Sequence, residues 1–236
     1  MFLVDGLTYY KADSTWWTFT LTLEESAARI VASISRASSQ PNSAECAAAY
    51  ALLIEIETWK AMCLHEQTGN AAKNPEGTVW NAFRLALDAL NAGNDREAIL
   101  SIMELKGFGS SMDEERGLRR AKRASAVLRF LSPQLWGVVD WRTIAILDNL
   151  KKADLDVARA LEEAKKIKGK DLNQLKDTLD LVNEDWACEI NVQYRAMRTA
   201  ALPRTADVDM ALFGLSMMVW PFRAGAAAST IGFATR

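Results

Sequence analysis

The sequence predicts an all-α protein. Nearly every long stretch repeats its apolar residues with helical period, only one stretch reads as a strand, and the breaks fall on residues that end helices. Half of the 236 residues are apolar, ample for a buried core in one domain or two small lobes. From the N-terminus, Trp16–Leu23 is the strand candidate, being rich in threonine and aromatic residues. Helices are predicted over Glu24–Ala37, Ser43–Glu66, Thr78–Asn91, Asp95–Leu105 and Leu118–Leu131, then over Trp141–Lys152, Asp154–Lys168, Leu172–Ala200 and Ala206–Trp220. Pro41, Gly69, Pro75, Gly93, Gly107, Gly109, Pro133, Gly169, Pro203 and Pro221 supply the punctuation. Asp95 and Asp140 are suited to cap the helices that follow them. The final AGAAASTIGFATR has the small-residue composition of a poorly ordered terminus.

Charge is nearly balanced, with 28 basic and 30 acidic residues, so any nucleic-acid contact must use a local basic patch. Cys46, Cys63 and Cys188 are widely spaced, and His65 is the one histidine. This set argues against a zinc or iron–sulfur site and against a disulfide framework, and it suits a reducing cytoplasm. The N-terminus lacks a basic stretch before an apolar core, and Asp5 interrupts it early, which argues against a signal peptide. The longest apolar run, Ala211–Phe222, is too short to span a bilayer and reads as a buried helix. No membrane partner is expected.

Residues 95–148 carry the functional argument. A predicted helix runs into Leu105-Lys106-Gly107-Phe108-Gly109. Two glycines around an apolar residue allow a tight turn with exposed amides that can hold a phosphate, although the same pattern also serves as a simple helix C-cap. Ala121 to Leu128 then opens a helix with small residues, and Gly137-Val138-Val139-Asp140-Trp141-Arg142 follows a turn at Ser132-Pro133. Arg116, Arg119, Arg120, Lys122, Arg123 and Arg129 form the densest basic stretch of the chain. It suits phosphate contact, or a solvated face balanced by Asp113, Glu114 and Glu115.

This segment resembles the helix-hairpin-helix DNA glycosylases, the superfamily of endonuclease III and 8-oxoguanine glycosylase. The carriers are the Gly107-x-Gly109 turn, Lys122 before a small-residue helix face, and the apolar pair Val138-Val139 leading to Asp140. The interval from Lys122 to Asp140 is the one the family shows between its lysine and its aspartate. The match covers under a quarter of the chain. Here residues 110–121, SSMDEERGLRRA, stand between the second glycine and the lysine, which typical members place almost together. Arg142 stands where many relatives have histidine. The stretch Arg204–Leu212 is similar to a closing helix of some bacterial relatives.

The resemblance implies two helical lobes with a helix-hairpin-helix element and a cleft between them. Residues 25–131 would form a central bundle carrying the turn and Lys122. Residues 1–24 and 132–236 would form the second lobe, carrying Asp140. The implied activity is hydrolysis of the N-glycosidic bond of a damaged or modified base in double-stranded DNA, for repair or for defence against modified viral DNA. The enzyme would act as a monomer without cofactor or metal. The alternative is a non-catalytic DNA-binding or interaction module.

The chemistry fits these residue types. Losing a base builds positive charge on the sugar, and a carboxylate such as Asp140 stabilises that charge and orients a water. Asp140 can equally be no more than an N-cap, and the two roles are compatible. A neutral Lys122 amine could instead attack the sugar and form a Schiff base that permits strand cutting, or Lys122 could be one more phosphate contact. Like-charge repulsion from Arg119, Arg120 and Arg123 would favour the neutral amine. Gly107, Gly109, Arg116, Arg119, Arg120, Arg123 and Arg142 are the DNA-contact candidates. Trp16, Trp17, Phe19, Trp136 and Trp141 are candidates for the walls around a flipped-out base. Glu55, Glu57 and Trp59 read as core plus solvated face.

Overall fold

The computed structural model describes residues 2–36, 40–64, 69–109, 121–179 and 181–221. They form eleven α-helices, one short 3-10 turn at Ala71–Lys73 and no strand, so the all-α expectation holds. His65, Arg116, Arg119, Arg120 and the C-terminal AGAAASTIGFATR lie outside the described residues.

The first two helices are α1 (Phe2–Ala12) and α2 (Ser14–Arg36). The strand expected at Trp16–Leu23 is therefore part of α2. Threonines and aromatics favour strands on average, but the buried positions here are Trp16, Thr20, Leu23, Ala27 and Ile34, which share one helical face. The threonine hydroxyls bond back one turn, Thr20 to the Trp16 carbonyl and Thr22 to the Thr18 carbonyl, both at 3.0 Å. Asp13 breaks the chain between the two helices by accepting the Trp16 amide at 3.0 Å. The lobe boundary expected at residue 24 falls inside this continuous helix.

Helices α3 (Ser43–Leu64), α4 (Glu76–Asn91), α5 (Asp95–Met103) and α6 (Lys122–Leu131) pack with α2 as one group. Asn94, not Asp95, caps α5, accepting the Glu97 amide at 3.1 Å. Asp95 instead pairs with Arg195. The second group is α7 (Trp141–Lys152), α8 (Val157–Lys166), α9 (Gly169–Leu179), α10 (Glu184–Ala196) and α11 (Thr205–Val219). The helix expected to start at Asp154 starts later, because Asp154 and Leu155 take left-handed φ of 54° and 65° to close α7, and Asp156 caps α8. The single helix expected over Leu172–Ala200 is two. Asn183 accepts the Trp186 amide at 2.9 Å and starts α10 afresh, so a local cap prevails over a continuing apolar period.

Helix α11 is apolar nearly all round, and every residue from Thr205 to Ser216 is buried. It packs against α1, α7 and α10. No described helix is long and apolar enough to cross a membrane. The buried apolar side chains of both groups join in one contiguous cluster.

The α1–α11 crossing depends on two glycines. A Cβ on Gly6 would lie 2.2 Å from the Ala211 carbonyl oxygen, and one on Gly214 would lie 1.9 Å from the Gly6 carbonyl oxygen. These obstacles are backbone, so either side chain forces the helices apart. Gly6→Ala should destabilise the protein by about 2 kcal/mol or more, as overpacked cores do. Gly77→Ala, where a Cβ meets nothing within 4 Å, should stay within about 0.5 kcal/mol of the parent. Urea midpoints of the two variants check this, and equal midpoints would refute the crossing.

Candidate active site

Asp140 caps α7. Its Oδ1 accepts the Arg142 amide at 2.9 Å and the Thr143 amide at 3.2 Å, and the Thr143 hydroxyl accepts the Asp140 amide at 3.2 Å. The cap expectation therefore holds, and it occupies one carboxylate oxygen. The other, Oδ2, accepts from Lys60 Nζ at 3.0 Å, with the two side chains only 1% and 4% exposed. Burial pushes the Asp140 carboxyl up, but the charge of Lys60, then that of Lys122, the Lys60 hydrogen bond and the Thr143 amide outweigh it. The carboxyl is held below its ordinary value, and Asp140 is an anion.

Lys122 is the first residue of α6 and is half-buried. Ser125, one turn on, holds α6 against the segment before Asp140. Its hydroxyl donates to the Lys122 carbonyl at 2.9 Å and accepts the Val139 amide at 3.0 Å. Lys122 and Asp140, paired by spacing in the sequence, are thus near enough for their charges to act on each other.

The Lys60–Asp140 pair borders a hollow whose other walls are Tyr10, Trp16, Trp59, Val138, Asp209, Met210 and Phe213. Its cavity volume is about 10 Å³, room for about one water molecule. The ring centroids of Trp16 and Phe213 are 5.5 Å apart, and those of Tyr10 and Trp16 are 5.8 Å apart. Thr20 anchors the wall, accepting the Trp59 indole N–H at 2.9 Å and sharing a 2.9 Å hydrogen bond with the Tyr10 hydroxyl.

Asp209 is the second buried acid of this hollow. Burial pushes its carboxyl up, and the Asp140 charge adds to that. The Arg129 charge, the Val138 amide and the Lys60 charge oppose them, leaving it raised to about 7. Two carboxyls in one hollow are thus driven in opposite directions.

The turn after α5 is tight at Gly107, with φ of +84°, but its amides are not the exposed donors expected. The Lys106 amide donates to Asn74, the Phe108 amide donates to the Leu105 carbonyl, and Phe108 and Gly109 are buried. Asn74 holds Lys106 through both amide and carbonyl, at 2.7 and 3.2 Å, and Arg123 donates to the Gly107 carbonyl at 3.1 Å. A Cβ on Gly109 would lie 2.3 Å from the Met103 carbonyl oxygen. Glu57, read from the sequence as core plus solvated face, is buried and supports this region from below. It accepts the amides of Gly69, Asn70 and Ala71 at 2.9–3.1 Å. Glu57, Lys60, Phe108 and Arg123 line a second small hollow under the turn.

The remaining candidates are elsewhere. Arg142 is buried, donates to the Trp220 carbonyl at 2.7 Å and stacks on Trp141, so it ties α7 to the end of α11 instead of facing a phosphate. Arg129 is fully buried with its Nη2 2.6 Å from Glu24 Oε1, which removes it from the basic surface. Trp136 is fully buried in the core, and Trp141 packs on Trp220 with centroids 5.5 Å apart. Trp17 is half-buried, edge-on to Tyr10, with Lys11 over its ring at 4.9 Å. Of the expected tryptophans, only Trp16 lines the hollow of Asp140. Among the described residues no group of three or more His, Cys, Asp or Glu side chains is placed to hold a metal.

Sequence reasoning missed Lys60, Asp209, Tyr10, Trp59 and Phe213 as site residues. A signal for Lys60 was present, because Leu53, Ile56 and Lys60 share the inner face of α3. Asp209 is likewise an acid on a largely apolar helix. Unlike Asp207, which pairs with Arg204 at the helix start, it lies deeper in the helix with no basic residue within a turn of it in the sequence. No protein-family model matches the chain, and no curated protein or solved structure matches it either.

Proposed function

We propose that the protein removes a damaged or modified base from double-stranded DNA by hydrolysing its N-glycosidic bond. The observation that carries the reading is Asp140: an anion at a helix N-terminus, beside two lysine charges and a hollow walled by aromatic rings. Such a carboxylate faces the positive charge that grows on the sugar as the base departs. Aromatic walls suit a flat base taken out of the stack. At its present volume the hollow cannot hold a base, so entry requires the rings of Tyr10, Trp16 and Phe213 to separate. The turn at Gly107 and the start of α6 would meet the DNA backbone.

The direct test is a panel of duplexes, each with one modified base, assayed with and without alkali. Alkali-dependent cutting identifies simple base removal, and cutting without alkali identifies lyase action. Intact strands across the panel would overturn the reading. Lys122→Gln then separates two mechanisms. If the Lys122 amine is the nucleophile, borohydride traps the parent protein on DNA and not the variant. Base release that survives Lys122→Gln, with no trapping in either protein, assigns Lys122 to positioning.

A further inference from the structure

We propose that Asp209 is the second catalytic group of this site, the residue that hands its proton to the departing base while Asp140 stands against the sugar. The inference rests on the base-excision reading and deepens it.

The geometry comes first. Asp209 and Asp140 approach one hollow from different elements, α11 and the start of α7, and both are buried. Their surroundings differ. Asp140 has two backbone amides and the Lys60 ammonium. Asp209 faces Arg129, but that guanidinium turns its charge to Glu24, and its buried Nε and Nη1 make no hydrogen bond among the described residues. Burial outweighs the Arg129 charge, the Val138 amide and the Lys60 charge that favour the Asp209 anion, and among the described residues Asp209 has no ion pair as close as the one Asp140 makes with Lys60. It shares the hollow with Tyr10, Trp16, Trp59 and Phe213, the rings that would sandwich a base. The Asp209 carboxyl titrating near 7 agrees with that placement. The groups facing it are Lys60 on α3, Arg129 on α6, Asp140 ahead of α7, Tyr194 on α10 and Tyr10 on α1.

The step balances. The bond between the sugar carbon and the base nitrogen breaks, and its electron pair goes to the base. A ring nitrogen of the base takes the Asp209 proton, so the base leaves uncharged. Water adds to the sugar carbon, and the proton it gives up passes by way of Asp140 to restore the Asp209 acid. The substrate class follows from this chemistry. It is a base that is neutral in the duplex and needs a proton to leave, not an N-alkylated base that already carries positive charge.

Two measurements test it. Carbon-13 NMR of protein labelled at aspartate carboxyls, with Asp209→Asn to assign the signal, should show Asp209 titrating near 7. An Asp209 that titrates near 4 overturns the proposal, whatever the protein does to DNA. Single-turnover release should then be followed from pH 5 to 9 on duplexes carrying uracil, 8-oxoguanine, 5-hydroxymethylcytosine or 7-methylguanine. Release of a neutral base by the parent should fall tenfold per pH unit above about 7. Asp209→Asn should lower it by roughly 100-fold or more and remove that limb, with partial recovery in Asp209→Glu. Release of 7-methylguanine, already cationic, should not depend on Asp209. A parent profile flat through pH 7 overturns the proposal without any variant. Base release lost in Asp140→Asn but kept in Asp209→Asn overturns it alone, whereas no release by the parent from any duplex overturns the base-excision reading as well.

Discussion

Asparagine at position 140 should stop base release, lowering the single-turnover rate by roughly 10²–10⁴-fold, the range over which positioned acid–base groups act. The substitution keeps the shape and the N-cap, since asparagine caps helices as well as aspartate does. It removes the charge that faces the sugar. It also weakens the buried ion pair with Lys60, which can cost up to about 3–5 kcal/mol. An inactive Asp140→Asn protein could therefore be inactive because it is less folded. Lys60→Met combined with Asp140→Asn separates the two effects. Asp140→Asn alone leaves the Lys60 ammonium buried without its counter-charge, and Lys60→Met removes that charge, so the double variant should be more stable than Asp140→Asn alone and equally inactive. Urea melts beside the rate assay check both halves. A folded Asp140→Asn protein that releases base at the parental rate would remove Asp140 from the chemistry.

The fold was legible where the sequence states its own boundaries. Asp140 capping α7, the turn at Gly107 and the buried α11 all follow from residues whose local preference and tertiary setting agree. Reading failed where two signals competed. In Trp16–Leu23 the strand preference of threonine and tryptophan masked a helical burial pattern that only becomes plain when Ala27 and Ile34 are counted with it. Between α9 and α10 the apolar period continues across a break that Asn183 sets locally.

The site was half legible, and the reason is chain distance. Lys122 and Asp140 are close in sequence, and the elements between them are short enough to fix their relation. Lys60 and Asp209 lie 80 residues before Asp140 and 69 after it. Nothing local brings them there. They meet Asp140 because α3 and α11 turn their buried faces to one point, and a charged residue on such a face looks like an exception until the packing is known. Arg142 and Arg129 illustrate the reverse error. In the sequence Arg129 reads as part of a basic surface run and Arg142 as a DNA contact beside Asp140, yet each lies on the inner face of its helix and is spent on an internal partner, Glu24 and the Trp220 carbonyl respectively.

The stability of the protein should depend on pH through Asp209, and in the direction opposite to the usual buried carboxylate. The carboxyl is raised from its ordinary 3.8 to about 7 in the folded protein. Below about pH 4 it is protonated in both folded and unfolded chains and contributes no difference. As pH rises from 4 to 7 the unfolded chain loses this proton while the folded one keeps it, so folding is progressively disfavoured, and above 7 the penalty is constant. A displacement of this size amounts to about 4 kcal/mol in full, and about 3 kcal/mol of it falls between pH 5 and pH 8. Asp140 acts with the other sign. Its lowered carboxyl adds stability above its ordinary value, and that stability is lost as pH falls through the folded value. Between pH 5 and pH 8 Asp140 is ionised in parent and variant alike, so comparing Asp209→Asn with the parent over this range removes its titration from the difference. The variant should gain on the parent by about 3 kcal/mol between pH 5 and pH 8, or roughly 6–12 °C in Tm for a chain of this length. Any fixed cost of the amide offsets both readings equally and leaves the gain intact. A variant that tracks the parent across this range would mean that Asp209 is ionised in the folded protein, held by Arg129 and Lys60 as an ordinary buried carboxylate, and its proton would then not be available to a departing base at neutral pH.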